Sequence, residues 1–164
     1  MLGMGFRLRW VGFLFFVAAF AEFDSEGAVS RSKGVGFVLG EPTGLTGKFW
    51  TTADRAIDGG LAFSFDRFVF LYSDYLFHFK SYSRIRPYAG IGGGFLIASG
   101  NKKGKYFDEQ DGSFGLGIRI PVGAEWFIPD APFGIFAELV PGLGLIPSTY
   151  GFFQGGIGAR FYLE

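Results

Sequence analysis

Phe114-Gly115-Leu116-Gly117-Ile118-Arg119-Ile120-Pro121-Val122-Gly123-Ala124-Glu125-Trp126-Phe127-Ile128 is the stretch whose period decides the fold. Every even-numbered position from Phe114 to Ile128 is apolar. The odd positions hold Gly115, Gly117, Arg119, Pro121, Gly123, Glu125 and Phe127. A period of two belongs to a β-strand, whose side chains point alternately to opposite faces. The run is roughly twice the length of an ordinary globular strand, and its minor face carries both an arginine and a glutamate. A tilted strand that crosses a bilayer and lines a narrow barrel accounts for both properties.

Composition agrees with that reading. At 164 residues the chain is expected to form one domain. Apolar residues make up 49% and Phe alone counts 23, yet no apolar run reaches the length of a membrane-spanning helix. Glycine counts 28, well above the usual share of about 7%. High Gly with high Phe fits strands with small inward and large outward side chains, and fits neither a helix bundle nor a disordered chain. The absence of Cys excludes a disulfide scaffold, a thiolate metal site and a cysteine nucleophile.

The N-terminus reads as a secretory signal over residues 1–21. Arg7 and Arg9 form a basic region, Trp10 to Phe20 an apolar one, and Ala19-Phe20-Ala21 a small-x-small cleavage site. About 11 apolar residues are too few to span a membrane. Residues 22–31 read as a short polar leader, and residues 32–164 as the barrel. Removing the signal takes two of the 15 basic residues and leaves 13 against 15 acidic, a net charge of −2. No attraction to nucleic acid is expected from that balance.

Eight strand-like segments follow the leader: residues 32–40, 44–52, 56–65, 68–79, 86–99, 114–128, 133–145 and 150–163. The fold class expected is all-β, an eight-stranded antiparallel up-and-down transmembrane β-barrel. An even strand number brings both termini to one side. The longest connection, residues 100–112, then falls on the opposite, outer side, and the connections on the terminal side are short. Aromatic girdles are expected at Phe49, Phe77, Phe79, Trp126, Phe133 and Phe161 near the inner ends. Their outer counterparts are Phe65, Phe68, Phe114, Tyr150 and Phe153.

The chain resembles the small eight-stranded outer-membrane barrels of the OmpA/OmpX type, mostly as pattern, from about Lys33 to Leu163. The segments carrying the resemblance are Gly40-Glu41-Pro42-Thr43-Gly44-Leu45-Thr46-Gly47-Lys48 and Gly156-Ile157-Gly158-Ala159-Arg160-Phe161. Gly158-Ala159-Arg160-Phe161-Tyr162-Leu163 is similar to the C-terminal insertion signal of such barrels, although Leu163 and Glu164 stand where a terminal aromatic is usual. The resemblance implies a bacterial outer-membrane location, contact with outer-membrane lipid and handling by the barrel-assembly machinery through the C-terminal segment. It also implies an interior polar network that is largely structural.

The alternation turns Lys48, Asp58, Asp74, His78, Arg119, Glu125, Glu138 and Arg160 toward the lumen. An eight-stranded barrel is just wide enough for side chains to fill it, and buried charges are tolerated only when paired. Three basic and four acidic groups, with His78 neutral, are expected to form a plugged ion-pair network. His78 is the lone histidine. Asp74 shares its face but lies about 13 Å along the strand, too far for a catalytic pair. No catalytic residues are assigned. Gly90-x-Gly92 and Gly156-x-Gly158 lack the third glycine of a dinucleotide loop, since Phe95 and Phe161 stand there. Packing accounts for these glycines, and no cofactor or metal is expected.

Residues 100–112 gather Lys102, Lys103, Lys105, Tyr106, Phe107, Asp108, Glu109 and Asp111. Loops on a rigid scaffold often bind partners, and this one is the candidate site for an extracellular protein. Asp108 to Asp111 lack the spacing of a calcium loop. The expected function is a monomeric, non-enzymatic outer-membrane barrel with a structural or surface-exposed binding role. Two alternatives are a narrow channel and a soluble lipocalin-like barrel that binds a small ligand. The lipocalin-like reading requires large apolar residues inside and charges outside.

Overall fold

The computed structural model describes residues 32–41, 43–63, 68–81, 83–98 and 114–163. The signal at 1–21, the leader at 22–31 and the loop carrying Lys102 to Asp111 lie outside them. The strands are β1 (Lys33–Glu41), β2 (Thr43–Trp50), β3 (Arg55–Phe63), β4 (Phe68–His78), β5 (Ile85–Ala98), β6 (Phe114–Arg119), β7 (Val122–Phe127), β8 (Phe133–Ile146) and β9 (Tyr150–Leu163). Each pairs antiparallel with its neighbours, and β1 closes on β9 from Lys33↔Leu163 to Glu41↔Gly155. Closure leaves no sheet edge with unpaired N–H and C=O groups, which a barrel in lipid requires.

Nine segments make eight walls, because β6 and β7 are one wall interrupted at Ile120-Pro121. β5 pairs with both, through Gly92–Ile97 against β6 and Ile85–Ala89 against β7. The single unbroken strand expected over 114–128 is therefore divided. Proline has no N–H to donate to the ladder. The gap is bridged by Gly90 N–H donating to Pro121 O (2.8 Å) and Ile120 N–H donating to Pro141 O (3.0 Å). The facing alternation survives the break. Arg119, Pro121 and Glu125 remain buried while Ile118, Ile120, Val122 and Trp126 are exposed.

That alternation holds around the barrel. Val35, Phe37 and Leu39 of β1, Leu116 and Ile118 of β6, and Phe153, Ile157 and Phe161 of β9 all stand on the outer surface, each about 40–60% exposed. So large an exposed apolar belt marks a lipid or protein contact. It is the reverse of the polarity a soluble ligand-binding barrel needs, and it sets the lipocalin-like alternative aside. Phe77, Phe79, Trp126, Phe133 and Phe161 are exposed near the end that carries the termini, while Phe49 of the same expected girdle is buried. At the other end Phe114 and Phe153 face outward. Tyr150 does not. It sits on the even-numbered, inward side of β9 and packs with Phe152 inside the barrel. Phe65 lies outside the described residues.

Inside, two aromatic layers cap a polar middle. Near the termini, Trp50, Ala56, Leu76, Tyr88 and Tyr162 pack with Phe127. Toward the opposite mouth, Ala62, Phe70, Tyr72 and Leu96 pack with Tyr150 and Phe152. Glycines make room for the rings. Tyr72 stands in register with Gly60 on one neighbouring strand and Gly94 on the other. A Cβ on Gly60 would lie 2.5 Å from the Tyr72 ring and hydroxyl and 2.6 Å from the Leu45 carbonyl oxygen. One of those neighbours is backbone and cannot swing aside. Gly60→Ala is expected to destabilise the barrel by about 1–3 kcal/mol, the cost of overpacking a close-packed interior, read as a lowered urea midpoint in lipid vesicles.

Candidate functional site

The candidate site is the polar middle of the lumen, and its charged side chains come from seven of the nine strand segments, β2, β3, β4, β6, β7, β8 and β9. Its lower half holds two cations and two carboxylates. Lys48 Nζ on β2 lies 2.5 Å from Glu125 Oε2 on β7, and both side chains are fully buried. Glu125 also accepts a hydrogen bond from the Tyr162 hydroxyl and faces Arg160 Nη1 at 3.7 Å. Arg160 Nη2 on β9 donates to Asp58 Oδ2 at 2.7 Å and to Thr46 Oγ1 at 3.2 Å. Asp58 takes two further donors, the Thr46 hydroxyl (3.0 Å) and the Gly59 N–H (2.9 Å). One side of the Arg160 guanidinium lies over the Phe136 ring, 3.7 Å from its centroid. The four charges thus form an unbroken chain from β2 across to β7, β9 and β3.

The upper half is organised by Arg119 of β6. Its Nε donates to both Asp74 oxygens at 3.2 Å, and its Nη1 donates to Gln154 Oε1 at 2.6 Å. Nη2 lies 3.2 Å from Asp74 Oδ2 and 4.0 Å from Glu138 Oε1. The guanidinium carbon is 4.1 Å from the centroid of the Tyr72 ring. Glu138 accepts the Tyr88 hydroxyl at 2.9 Å. Charge-assisted bonds of this kind are shorter and stronger than neutral ones, and ring faces take the sides of the cations that carboxylates leave bare.

The cross-strand neighbours of both arginines are glycines. Arg160 is flanked in register by Gly36 and Gly134, and Arg119 by Gly92 and Gly142. Facing residues on adjacent strands stand about 5 Å apart. A Cβ at these glycines would lie 1.9 Å from Ala159 O at Gly36, 2.8 Å from Glu125 Oε1 at Gly134, 2.0 Å from Asp74 Oδ1 at Gly92 and 2.1 Å from the Phe152 ring at Gly142. Recesses with room for roughly one or two waters each open among the described residues. One is lined by Phe70, Leu96, Tyr150, Phe152 and Gln154, another by Tyr72, Arg119, Glu138 and Gln154.

Seven of the eight residues expected in the lumen, Lys48, Asp58, Asp74, Arg119, Glu125, Glu138 and Arg160, are brought into contact with an opposite charge. His78 is inside but outside the network. It lies between Trp50 (4.2 Å between centroids, planes tilted by 42°) and Tyr88 (5.3 Å, tilted by 41°), and neither ring nitrogen has a hydrogen-bond partner among the described residues. Burial between two aromatic rings keeps it from any carboxylate. Thr46, Tyr88, Gln154 and Tyr162 complete the network and were not among the charged residues singled out. Strand parity turns each inward, which is the signal that finds them.

Residues 25–162 match the family described as "Protein of unknown function (DUF3996)". The chain belongs to the DUF3996 family. No curated protein matches the sequence. Among solved structures, this DUF3996 barrel is similar to the N-terminal β-barrel domain of Pseudomonas aeruginosa OprF. That match has a TM-score of 0.58 and 18% identity, covering 80% of this chain and 95% of that one. A de novo designed transmembrane β-barrel matches with a TM-score of 0.52 and 15% identity, over 85% of this chain and 100% of the design. The outer membrane enzyme PagL gives 0.47 and 14%, over 80% and 99%. At these identities the likeness is one of fold. The DUF3996 chain is a closed eight-stranded antiparallel barrel of the small transmembrane type.

Proposed function

We propose that this DUF3996 chain is a bacterial outer-membrane barrel with a sealed lumen, which works without catalysis. On this reading the barrel holds its outer loops at the cell surface, where residues Lys102 to Asp111 meet an extracellular protein, or it contributes structurally to the membrane. One observation carries the sealed lumen. The path between the two mouths is crossed by Lys48–Glu125–Arg160–Asp58 and by Arg119–Asp74, with an aromatic layer on either side. An ion entering would have to replace bonds that already satisfy buried charges, at several kcal/mol for each charge left alone.

The absence of catalysis is supported by the state of the lone histidine. A general base needs a substrate within hydrogen-bond reach and is commonly oriented by a carboxylate. His78 is enclosed by Trp50 and Tyr88 and has no such partner among the described residues. The belt of Val35, Leu116, Ile157 and their neighbours supports membrane residence. The C-terminal strand, residues 158–163, is the segment the barrel-assembly machinery would engage. A monomer suffices, because closure of β1 on β9 leaves no strand for a partner to extend.

The test is electrical. The purified, refolded protein in planar bilayers is expected to show no steady conductance. Long-lived open levels would replace the sealed barrel with a narrow channel. Cell fractionation checks the location: the protein is expected with outer membranes and released only by detergent. Recovery in the soluble periplasm would overturn the membrane reading.

A further inference from the structure

The end of the barrel that carries the termini has a group of described cations that the lumen network does not use. Lys33, Arg55, Lys80, Arg84 and Arg86 lie there, against Asp54 and Asp130 among the described residues. Among the described residues, five cations stand there against two acids. Arg55, Lys80 and Arg84 are exposed and form no ion pair with another described residue. They are neighbours in space. Arg55 stands in register with Phe77 at the end of β4, and the turn after β4 carries Lys80 and Arg84. That turn and the β2–β3 turn are tied together by His78 N–H donating to Asp54 O (2.7 Å) and by Arg86 Nη2 donating to Ala53 O. The acid in the patch is committed locally. Thr52 Oγ1 donates to Asp54 Oδ1 at 2.7 Å, which holds that carboxyl below the usual carboxylate range.

An apolar fringe adjoins these cations. Phe77, Phe79, Ile85 and Trp126 are each about half exposed, and Ile85 pairs in register with Trp126. Cations set just beyond an aromatic edge match a phospholipid, with its acyl chain against the rings and its phosphate against the guanidinium and ammonium groups. Arginine presents paired donors in a geometry that suits phosphate oxygens. A zwitterionic headgroup carries its own cation, which the exposed Arg55, Lys80 and Arg84 repel, so a net anionic headgroup is favoured.

We propose that the β2–β3 and β4–β5 turns of this barrel form a binding face for anionic phospholipid in the leaflet on the terminal side. The proposal rests on the membrane-barrel reading above. It is tested on the full chain refolded into phosphatidylcholine vesicles. Spin-labelled phosphatidylglycerol and phosphatidylcholine then report the relative association of each lipid with the protein. Phosphatidylglycerol is expected to be preferred about fivefold, the equivalent of one surface cation, with the preference fading at high salt. The triple variant Arg55→Gln, Lys80→Gln, Arg84→Gln is expected to bind the two lipids alike while keeping the heat-modifiable gel migration of a closed barrel. Equal association of both lipids with the unaltered protein overturns the proposal, as does a preference that survives in the triple variant. Insertion into pure phosphatidylcholine separates the two ideas. A protein that inserts there without lipid preference loses only this face, and one that fails to insert loses the membrane reading with it.

Discussion

Glu125→Gln is expected to lower the unfolding free energy of the barrel by about 3–5 kcal/mol, the loss seen when one partner of a buried ion pair is removed. Glu125 is where the lower network converges: Lys48, Tyr162 and Arg160 all address its two oxygens. An amide preserves the shape and one acceptor oxygen but leaves Lys48 Nζ buried without its closest counter-charge. Asp58, in register with Lys48 across β2–β3, offers partial compensation and places the effect toward the lower end of that range. Urea titration in vesicles, followed by the fluorescence of Trp50 and Trp126, measures the change. The double variant Lys48→Met, Glu125→Gln is expected to recover part of the loss, because the stranded ammonium is gone. Recovery stays incomplete, since Arg160 and Tyr162 still face a neutral group. If Glu125→Gln unfolds with an unchanged midpoint, the network does not hold the walls together.

The second large effect comes from the opposite face. Ile157 lies halfway along β9 and is 63% exposed. On a protein surrounded by water, an arginine at so exposed a position changes stability by no more than about 0.5 kcal/mol. On a barrel in lipid, the same substitution near the bilayer midplane costs about 2–4 kcal/mol. Ile157→Arg is therefore expected to destabilise the vesicle-embedded protein by that amount. Leu163→Arg, at the strand end where headgroups and water are near, is expected to cost only about 0–1 kcal/mol. The depth dependence is the informative part. Equal, small effects at both positions would remove the lipid from the account of this surface.

These two experiments divide along a line that also divides what was legible in the sequence. The two faces could be read from strand parity alone. Arg119 and Glu125 on one side of residues 114–128, and Leu116, Ile118 and Ile120 on the other, follow from a period of two. Nearness to a strand end predicts Tyr150 on the outer girdle, whereas it packs inside the barrel. The same parity that put Gln154 and Arg160 inside puts Tyr150 inside as well. The division of the long strand was marked by Pro121, whose missing N–H interrupts the ladder.

Partners were another matter. Nothing near Arg119 in the chain indicates that it meets Asp74 and Gln154, with Glu138 at 4.0 Å, or that Glu125 belongs instead to Lys48 and Arg160. Lys48 and Glu125 are 77 residues apart. His78 shares its strand face with Asp74, yet the rings of Trp50 and Tyr88 enclose it and leave it outside every ion pair. The sequence by itself determined the barrel, its strand walls and the sign of each face, because alternation is a local property of one extended chain. Only the tertiary structure decided which charge meets which. Those contacts depend on inter-strand register and on closure of β1 against β9, where a single two-residue shift would hand every arginine a different carboxylate.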